Sequence, residues 1–390
     1  YDGIETKDIQ EILVRSASDL ISLDAPNYQF VAARLLLYGV YKQVFGSEWV
    51  RGLPSVYDHA LHCTNKNVYD QDILGKYTEE EWSKINSWID HGRDELFTYA
   101  GLRQVVDKYL VQDRSSGVVY ESPQYMYMMI AVTLFQNYTD NRLEYIKKYY
   151  DAISKHRINI PTPIMGGVRT PIRQFASCVL VDSDDTLDSI FSSDMAIGKY
   201  VAQRAGIGIN AGRIRGINSK IRGGEVQHTG VVPFLKKLES TVRCCTQNGI
   251  RGGSATVHFP IWHQEIEDII VLKNNKGTED NRVRKLDYSI QISKLFYERF
   301  IRNEDISLFS PHDVPGLYDA FGTDEFDGLY IRAEGQADIP RKTINAQELI
   351  LDILKERAET GRIYIMNIDH CNSHSSFKDK VNMSNLCQEI

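Results

Sequence analysis

Cysteine is scarce in this chain: six residues in 390, at positions 63, 178, 244, 245, 371 and 387. So few thiols in so long a sequence exclude the disulfide framework of small secreted proteins and point to a cytoplasmic protein with mostly reduced thiols. No hydrophobic run approaches the length of a membrane span and no leader-like segment opens the sequence, which argues against a membrane location. Positive charge is in deficit. There are 45 Lys and Arg against 52 Asp and Glu, a net charge of −7, and this disfavours sequence-independent binding of nucleic acid while leaving room for local basic clusters that hold discrete phosphates. Glycine-flanked serine nucleophiles, HExxH pairs and Walker-type phosphate loops are absent too, which removes the commonest hydrolase, zinc-protease and NTPase signatures.

What is present is an ordinary globular composition, 42% apolar and 25% charged, in a chain long enough for two or three domains. The periodicity predicts a largely helical first part. Helices are expected over about Asp8–Leu23 and Tyr28–Phe45, separated by the breaker Ala25-Pro26-Asn27. Thr78-Glu79-Glu80-Glu81 reads as a capping box, and Ser122-Pro123 as the start of a helix through Phe135. A hairpin is expected around Arg114-Ser115-Ser116-Gly117. The aromatic and methionine run from Tyr125 to Met128 reads as core.

From Pro161 the texture changes. Short β-rich runs at Ser177–Val181, Gly206–Asn210, Thr256–Phe259, Tyr288–Ile292, Ser307–Phe309 and Ile363–Ile368 alternate with helices at about Thr186–Arg204, Val232–Cys244 and Ala346–Thr360. That alternation predicts an α/β layer or barrel. Three segments follow: residues 1–46, the helical 47–160, and the α/β region 161–390.

The chemistry concentrates in a few places. Asn385, Cys387 and Glu389 set an amide, a thiol and a carboxylate at alternate positions. If extended, the segment puts all three on one face, a set suited to redox or radical work on a hydroxylated substrate; a cysteine on an ordinary core strand is the other reading. Gly206–Gly212 is glycine-rich but has the wrong spacing for a dinucleotide fingerprint. Two Arg-Gly-Gly turns, Arg222-Gly223-Gly224 and Arg251-Gly252-Gly253, offer guanidinium groups and flexible backbone N–H groups suited to phosphate, with Arg213 and Arg215 near the first. The echo between them is too brief to be a structural repeat. Cys178, on an apolar strand, reads as buried. Cys244-Cys245 and His370-Cys371 with His374 contain ligand types without a full metal-binding set, so no metal is expected.

Taken together, these segments resemble the large (α) subunit of class I ribonucleotide reductases. The similarity runs from Ser18–Tyr38 through Pro161–Val168, Phe175–Val181, Tyr200–Arg215, Ile221–Gly230, Arg251–Ala255, Asp313–Phe321 and Gly361–Asn372 to Ser384–Ile390. The resemblance implies an α+β and α/β fold: a mainly helical N-terminal region with a partial ATP cone, then the first part of a ten-stranded α/β barrel. It implies that Cys387 becomes a transient thiyl radical, that Glu389 is the base on the ribose 3′-hydroxyl, and that Asn385 orients the hydroxyls. Cys178 matches one member of the redox pair that reduces the 2′ position. Thr162 and Ser177 match substrate-site residues, and Arg251 lies on the second specificity loop, Cys245–Ser254. Asp185, Thr186, Leu187, Arg215 and Arg222 match the site for a deoxynucleoside triphosphate effector at a dimer interface. Thr6 and Lys42 match positions of the ATP cone, whose first strands are not in this sequence.

The implied activity is reduction of ribonucleoside diphosphates. No cofactor would be bound directly; ATP, dATP and dNTPs would act as effectors, and a small metal-containing (β) subunit would supply the radical. The family's second redox cysteine, substrate-phosphate loop, relay tyrosines and C-terminal thiols lie beyond the finger loop, so the chain is expected to act with a separate C-terminal half. The other expected partners are a second copy of the chain and a thioredoxin- or glutaredoxin-type reductant, with neither nucleic acid nor membrane. The alternative is an effector-binding, dimerising fragment without turnover. A cobalamin-dependent class II relative, which shares the Asn-x-Cys-x-Glu arrangement, is a third reading.

Overall fold

The computed structural model describes residues 3–246 and 252–389. It divides into two compact units, residues 1–177 and 178–390.

The first unit is helical. Helices α1 (Thr6–Asp19) and α2 (Tyr28–Phe45) pack together. The first ends four residues before the expected Leu23, and the chain then turns toward Pro26 with the Ala25 N–H donating to Ser22 Oγ at 3.1 Å. Helix α3 (Val56–Asn65) is capped by Ser55, whose hydroxyl accepts from the Asp58 N–H. The capping box forms as read. The Thr78 hydroxyl accepts from the Glu81 N–H while the Glu81 carboxylate accepts from the Thr78 N–H, opening α4 (Glu79–Ser87). Helix α5 (Pro123–Phe135) starts at its proline, although the Ser122 hydroxyl makes no capping bond. Its run from Pro123 to Thr133 is buried all round, so α5 is the axis of this unit's core. Helix α6 (Arg142–Ser154) lies against it. The expected hairpin is present as Gln112–Asp113 paired antiparallel with Val118–Val119.

Beside this core lies a fully buried ion pair, Arg169 with Glu121. Arg169 Nε donates to Glu121 Oε2 at 2.8 Å, and the Tyr69 hydroxyl and the Val111 N–H also donate to the carboxylate. The remaining guanidinium N–H groups reach the carbonyls of Met165 and Tyr109. Every charge in the cluster is answered, so removing one partner is costly. Arg169→Leu is expected to destabilise the protein by about 3–5 kcal/mol, because it strands a buried carboxylate. Adding Glu121→Gln should return part of the loss; urea unfolding of the single and double variants checks both.

The second unit is built on one parallel sheet. Its strands are β1 (Cys178–Asp182), β2 (Gly206–Asn210), β3 (Ala255–Pro260), β4 (Asp287–Ile292) and β5 (Ile363–Asn367), hydrogen-bonded in chain order. All four pairings are parallel, which requires a crossover between each pair of strands. Helix α7 (Leu187–Ala202) links β1 to β2, α8 (Val232–Cys244) precedes β3, and α9 (Ala346–Thr360) leads into β5. The expected strand at Ser307–Phe309 forms instead over Asp305–Leu308, outside this sheet, paired antiparallel with Lys342–Asn345. Among the described residues the sheet is open, because β1 and β5 each have a single neighbour. This is the arrangement of the first half of an α/β barrel.

Alternation along the strands gives the sheet two unlike faces. One carries Ile207, Ile209, Val257, Phe259, Tyr288 and Ile290, all buried in a core shared with Ile197, Leu235 and Ile353 of the crossover helices. The register aligns Cys178 with Gly206, Leu180 with Gly208, Gly208 with Thr256, His258 with Ser289, and Ser289 with Tyr364 on the opposite face. That second face is polar.

Candidate active site and effector site

The polar face of the sheet is occupied by the chain's own segment 382–389. Thr256 Oγ1 on β3 donates to the Leu386 carbonyl at 2.5 Å, and Gln291 Nε2 on β4 donates to the Asn382 carbonyl at 2.5 Å. On β2, Gly208 leaves the space that the segment needs: a Cβ there would lie 2.1 Å from the Ser384 carbonyl oxygen. Ser384, Asn385 and Leu386 are buried as a result, whereas Cys387 and Glu389 are exposed. His258 is buried on this face, and burial pushes its imidazole down to about 4, against the pull of the Ser384 and Asn385 backbone. It is therefore neutral beside the segment at physiological pH.

The segment is a turn, which corrects the extended reading. The Gln388 N–H donates to the Asn385 carbonyl at 3.3 Å, and the Glu389 N–H to Asn385 Oδ1 at 3.1 Å. Gln388 takes a left-handed φ of 60°. Alternation therefore does not relate Asn385, Cys387 and Glu389; the Asn385 side chain instead reaches across the turn to the Glu389 backbone. Tyr364 of β5 lies close enough for the Cys387 and Glu389 charges to add to the burial that raises its phenol's pKa. Cys178 is half-buried on the same face of the sheet, at the start of β1. Thr162, at the start of helix Thr162–Gly167, and Ser177 belong to the first unit; the Thr162 hydroxyl lies 3.3 Å from that of Tyr109. Arg251 lies outside the described residues, as do residues 247–250 of the Cys245–Ser254 loop.

A second group gathers before α7. Asp185 accepts from the Arg215 N–H and from Arg215 Nε, both at 2.8 Å, and Arg215 Nη1 donates to the Lys220 carbonyl at 2.7 Å. Thr186 caps α7 by accepting from the Ser189 N–H, and Leu187 is exposed. Arg222 stands at the tip of the hairpin Lys220–Ile221 and Val226–Gln227, where Arg222, Gly223 and Gly224 all have positive φ. Arg215 thus ties the start of α7 to the foot of the Arg222 hairpin. A phosphate at Arg215 must compete with, or add to, the Asp185 carboxylate. Thr6 and Lys42 are exposed on α1 and α2. Among the described residues no cluster of three or more His, Cys, Asp or Glu is placed to hold a metal, and no helix is long and apolar enough to cross a membrane.

Composition alone did not single out Glu265. It is buried, and its carboxylate accepts from the Ile217 N–H at 2.9 Å and the Val231 N–H at 3.1 Å, the two stems of the Arg222 hairpin loop. Burial pushes Glu265 up to about 7 from 4.5, opposed by those two amides and reinforced by Asp268. The folded state therefore holds its proton more tightly than the unfolded state. The stabilisation is complete below about pH 4.5 and is lost as pH rises through about 7. Glu265→Gln should keep the acceptor and remove the titration. Its melting temperature relative to the parent is expected to rise between pH 5 and pH 8, as thermal scans at both values would show. Thr256, Ser289, Gln291 and Gln388 were missed as well. For Thr256, Ser289 and Gln291 the signal was polar residues recurring on strands otherwise apolar enough to be fully buried.

An open half of an α/β barrel that carries a cysteine-bearing turn on its polar face defines a thiol-bearing barrel protein. Comparison with known sequences agrees. The family described as the ribonucleotide reductase barrel domain matches residues 176–390, and the ribonucleotide reductase all-alpha domain matches residues 95–173. The chain belongs to the ribonucleotide reductase large-chain family. Over its whole length it is 52% identical to ribonucleoside-diphosphate reductase 1 subunit alpha of Escherichia coli strain K12, of which it covers 52%. Identity is 51% to the subunit alpha of Haemophilus influenzae and 46% to that of Enterobacteria phage T4, again with 52% of each covered. The chain spans about half the length of the curated relatives it matches.

Proposed function

We propose that this chain forms part of the catalytic subunit of a class I ribonucleoside-diphosphate reductase, a cytoplasmic enzyme. The observation that carries the reading is the shared face: Cys178 and the Asn385–Cys387–Glu389 turn lie on the one polar side of the sheet. In this reading the Cys387 thiyl radical takes the 3′ hydrogen atom from the ribose and becomes a thiol. Glu389 takes the proton of the 3′-hydroxyl, and Asn385 orients the hydroxyls. The 2′-hydroxyl leaves as water and the 2′ carbon gains hydrogen, the two protons coming from the Cys178 thiol and a second thiol, and Glu389 returns its proton to the 3′ oxygen. Cys178 and a second thiol supply two electrons and end as a disulfide, which a thioredoxin- or glutaredoxin-type reductant reopens. The hydrogen atom then returns from Cys387 to the 3′ position. Thr162, Ser177 and Arg251 would line the substrate site.

The group Asp185, Thr186, Leu187, Arg215 and Arg222 would take a dNTP effector, and Thr6 and Lys42 would belong to an ATP-responsive cone that includes residues 1–46. A homodimer suits α7, which leaves Leu187, Phe191 and Met195 exposed at four-residue spacing as an apolar stripe beside that group. The other partners are the C-terminal half of the catalytic subunit and a small metal-bearing subunit that supplies the radical. The intact Asp185–Arg215–Lys220 assembly also favours a second reading, an effector-binding fragment without turnover. Conversion of CDP to dCDP, with ATP, reductant and radical-generating subunit, decides between them when run with and without the C-terminal half. Turnover in the full mixture supports the reductase; effector binding without turnover in any mixture supports the fragment.

A further inference from the structure

Gln388 sits between the two exposed residues of the turn, and its side chain turns inward. Its Nε2 donates to the Ile365 carbonyl of β5 at 2.7 Å, and its Oε1 accepts from Ser289 Oγ of β4 at 2.8 Å. Ser289 is fully buried and lies in register with Tyr364, the residue before Ile365. The amide therefore straddles the β4–β5 seam and uses both its donor and its acceptor. The backbone of Gln388 is left-handed, with φ 60°, a conformation non-glycine residues seldom adopt without something to hold them there. Because Gln388 directly follows Cys387, this one residue sets both where the thiol stands and where the chain emerges to place Glu389, whose N–H closes onto Asn385.

We propose that Gln388 is the positioning residue of the radical-cysteine turn, a bridge to Ser289 and Ile365 that fixes the Cys387 thiol and the Glu389 carboxylate relative to Asn385. The inference rests on the reading that Cys387 carries the radical. It adds a residue whose side chain is committed to the sheet and that acts through the backbone. Its function needs an amide: an aliphatic side chain fills the space but makes neither bond, and glycine accepts the left-handed backbone but loses the bridge.

The test uses the complete catalytic subunit with its radical-generating partner. Gln388→Ala and Gln388→Gly are both expected to lower kcat for CDP by roughly 10- to 100-fold, the usual effect of an ångström-scale misplacement, with KM little changed. Ser289→Ala should lower kcat less, and the Ser289→Ala, Gln388→Ala double variant should be no worse than Gln388→Ala alone. An independent readout is the rate of iodoacetamide alkylation at Cys387, followed by mass spectrometry of its peptide, which should shift severalfold in Gln388→Ala. Parent-like kcat and alkylation in Gln388→Ala would overturn the proposal, as would additive effects of the two substitutions. Turnover by Cys387→Ser would instead overturn the reading beneath it.

Discussion

In the proposed reductase, Cys387→Ser is expected to abolish nucleotide reduction, lowering kcat on the order of 10⁴-fold or more, as the loss of a residue that forms the reacting bond does in other enzymes. The substitution changes one atom, and the argument is about that atom. An S–H bond is comparable in strength to the activated C–H bond of the ribose, so hydrogen moves either way; an O–H bond is much stronger, and a seryl radical would not form at the same driving force. Structure should be spared. Cys387 is exposed, and the turn is held by Thr256 on the Leu386 carbonyl, by Gln291 on the Asn382 carbonyl and by the Gln388 side chain. Stability should therefore stay within about 0.5 kcal/mol of the parent. The measurement pairs CDP turnover with equilibrium binding of a dNTP. Lost turnover with unchanged effector binding is the expected outcome, and retained turnover would remove Cys387 from the mechanism.

Gly208→Ala is the second substitution with a large expected effect, and it acts on the same turn from below. The added Cβ would stand 2.1 Å from the Ser384 carbonyl oxygen, 3.0 Å from Asn385 Cα and 3.1 Å from Leu180 Cδ2. The first two are backbone atoms and cannot swing aside as the end of a long side chain can. Either β2 bends, against a neighbour on each side, or the turn lifts off the sheet. Lifting costs less, so the damage should fall on function: about 100-fold or more in kcat, with about 1–3 kcal/mol of overpacking in stability. Turnover and urea unfolding of Gly208→Ala, with Gly208→Val as the more severe case, test this. Normal values for both would mean that the segment does not sit against β2.

Much of the scaffold was legible because its elements carry local signals. Helix α8 begins and ends where Pro233 in its first turn and the amphipathic pattern place it, and β2 is readable from Ile207 and Ile209 between small residues. The α1 end was misjudged because Leu20, Ile21 and Leu23 prolong an apolar pattern past the point where the chain turns. The candidate site was legible in residue type but not in geometry. Ser384-Asn385 are turn-forming types, but with no glycine nearby nothing marks the left-handed step at Gln388, which depends on Ser289, 99 residues earlier. Glu265 was invisible for a related reason: its partners are backbone amides, which every sequence position offers alike.

The polar face of the sheet has a thermodynamic consequence of its own. Gly208, Thr256, Ser289 and Gln291 make this face a receptor whose guest is tethered to it. About 16 residues join the end of β5 to Ser384, so the guest is present at high effective concentration and a few hydrogen bonds are enough to seat it. Seating of this kind can be undone without melting the strands beneath. The cysteine-bearing turn can thus exchange hydrogen and readmit water on its own clock, one set by its seat on β2–β5 and separate from global unfolding.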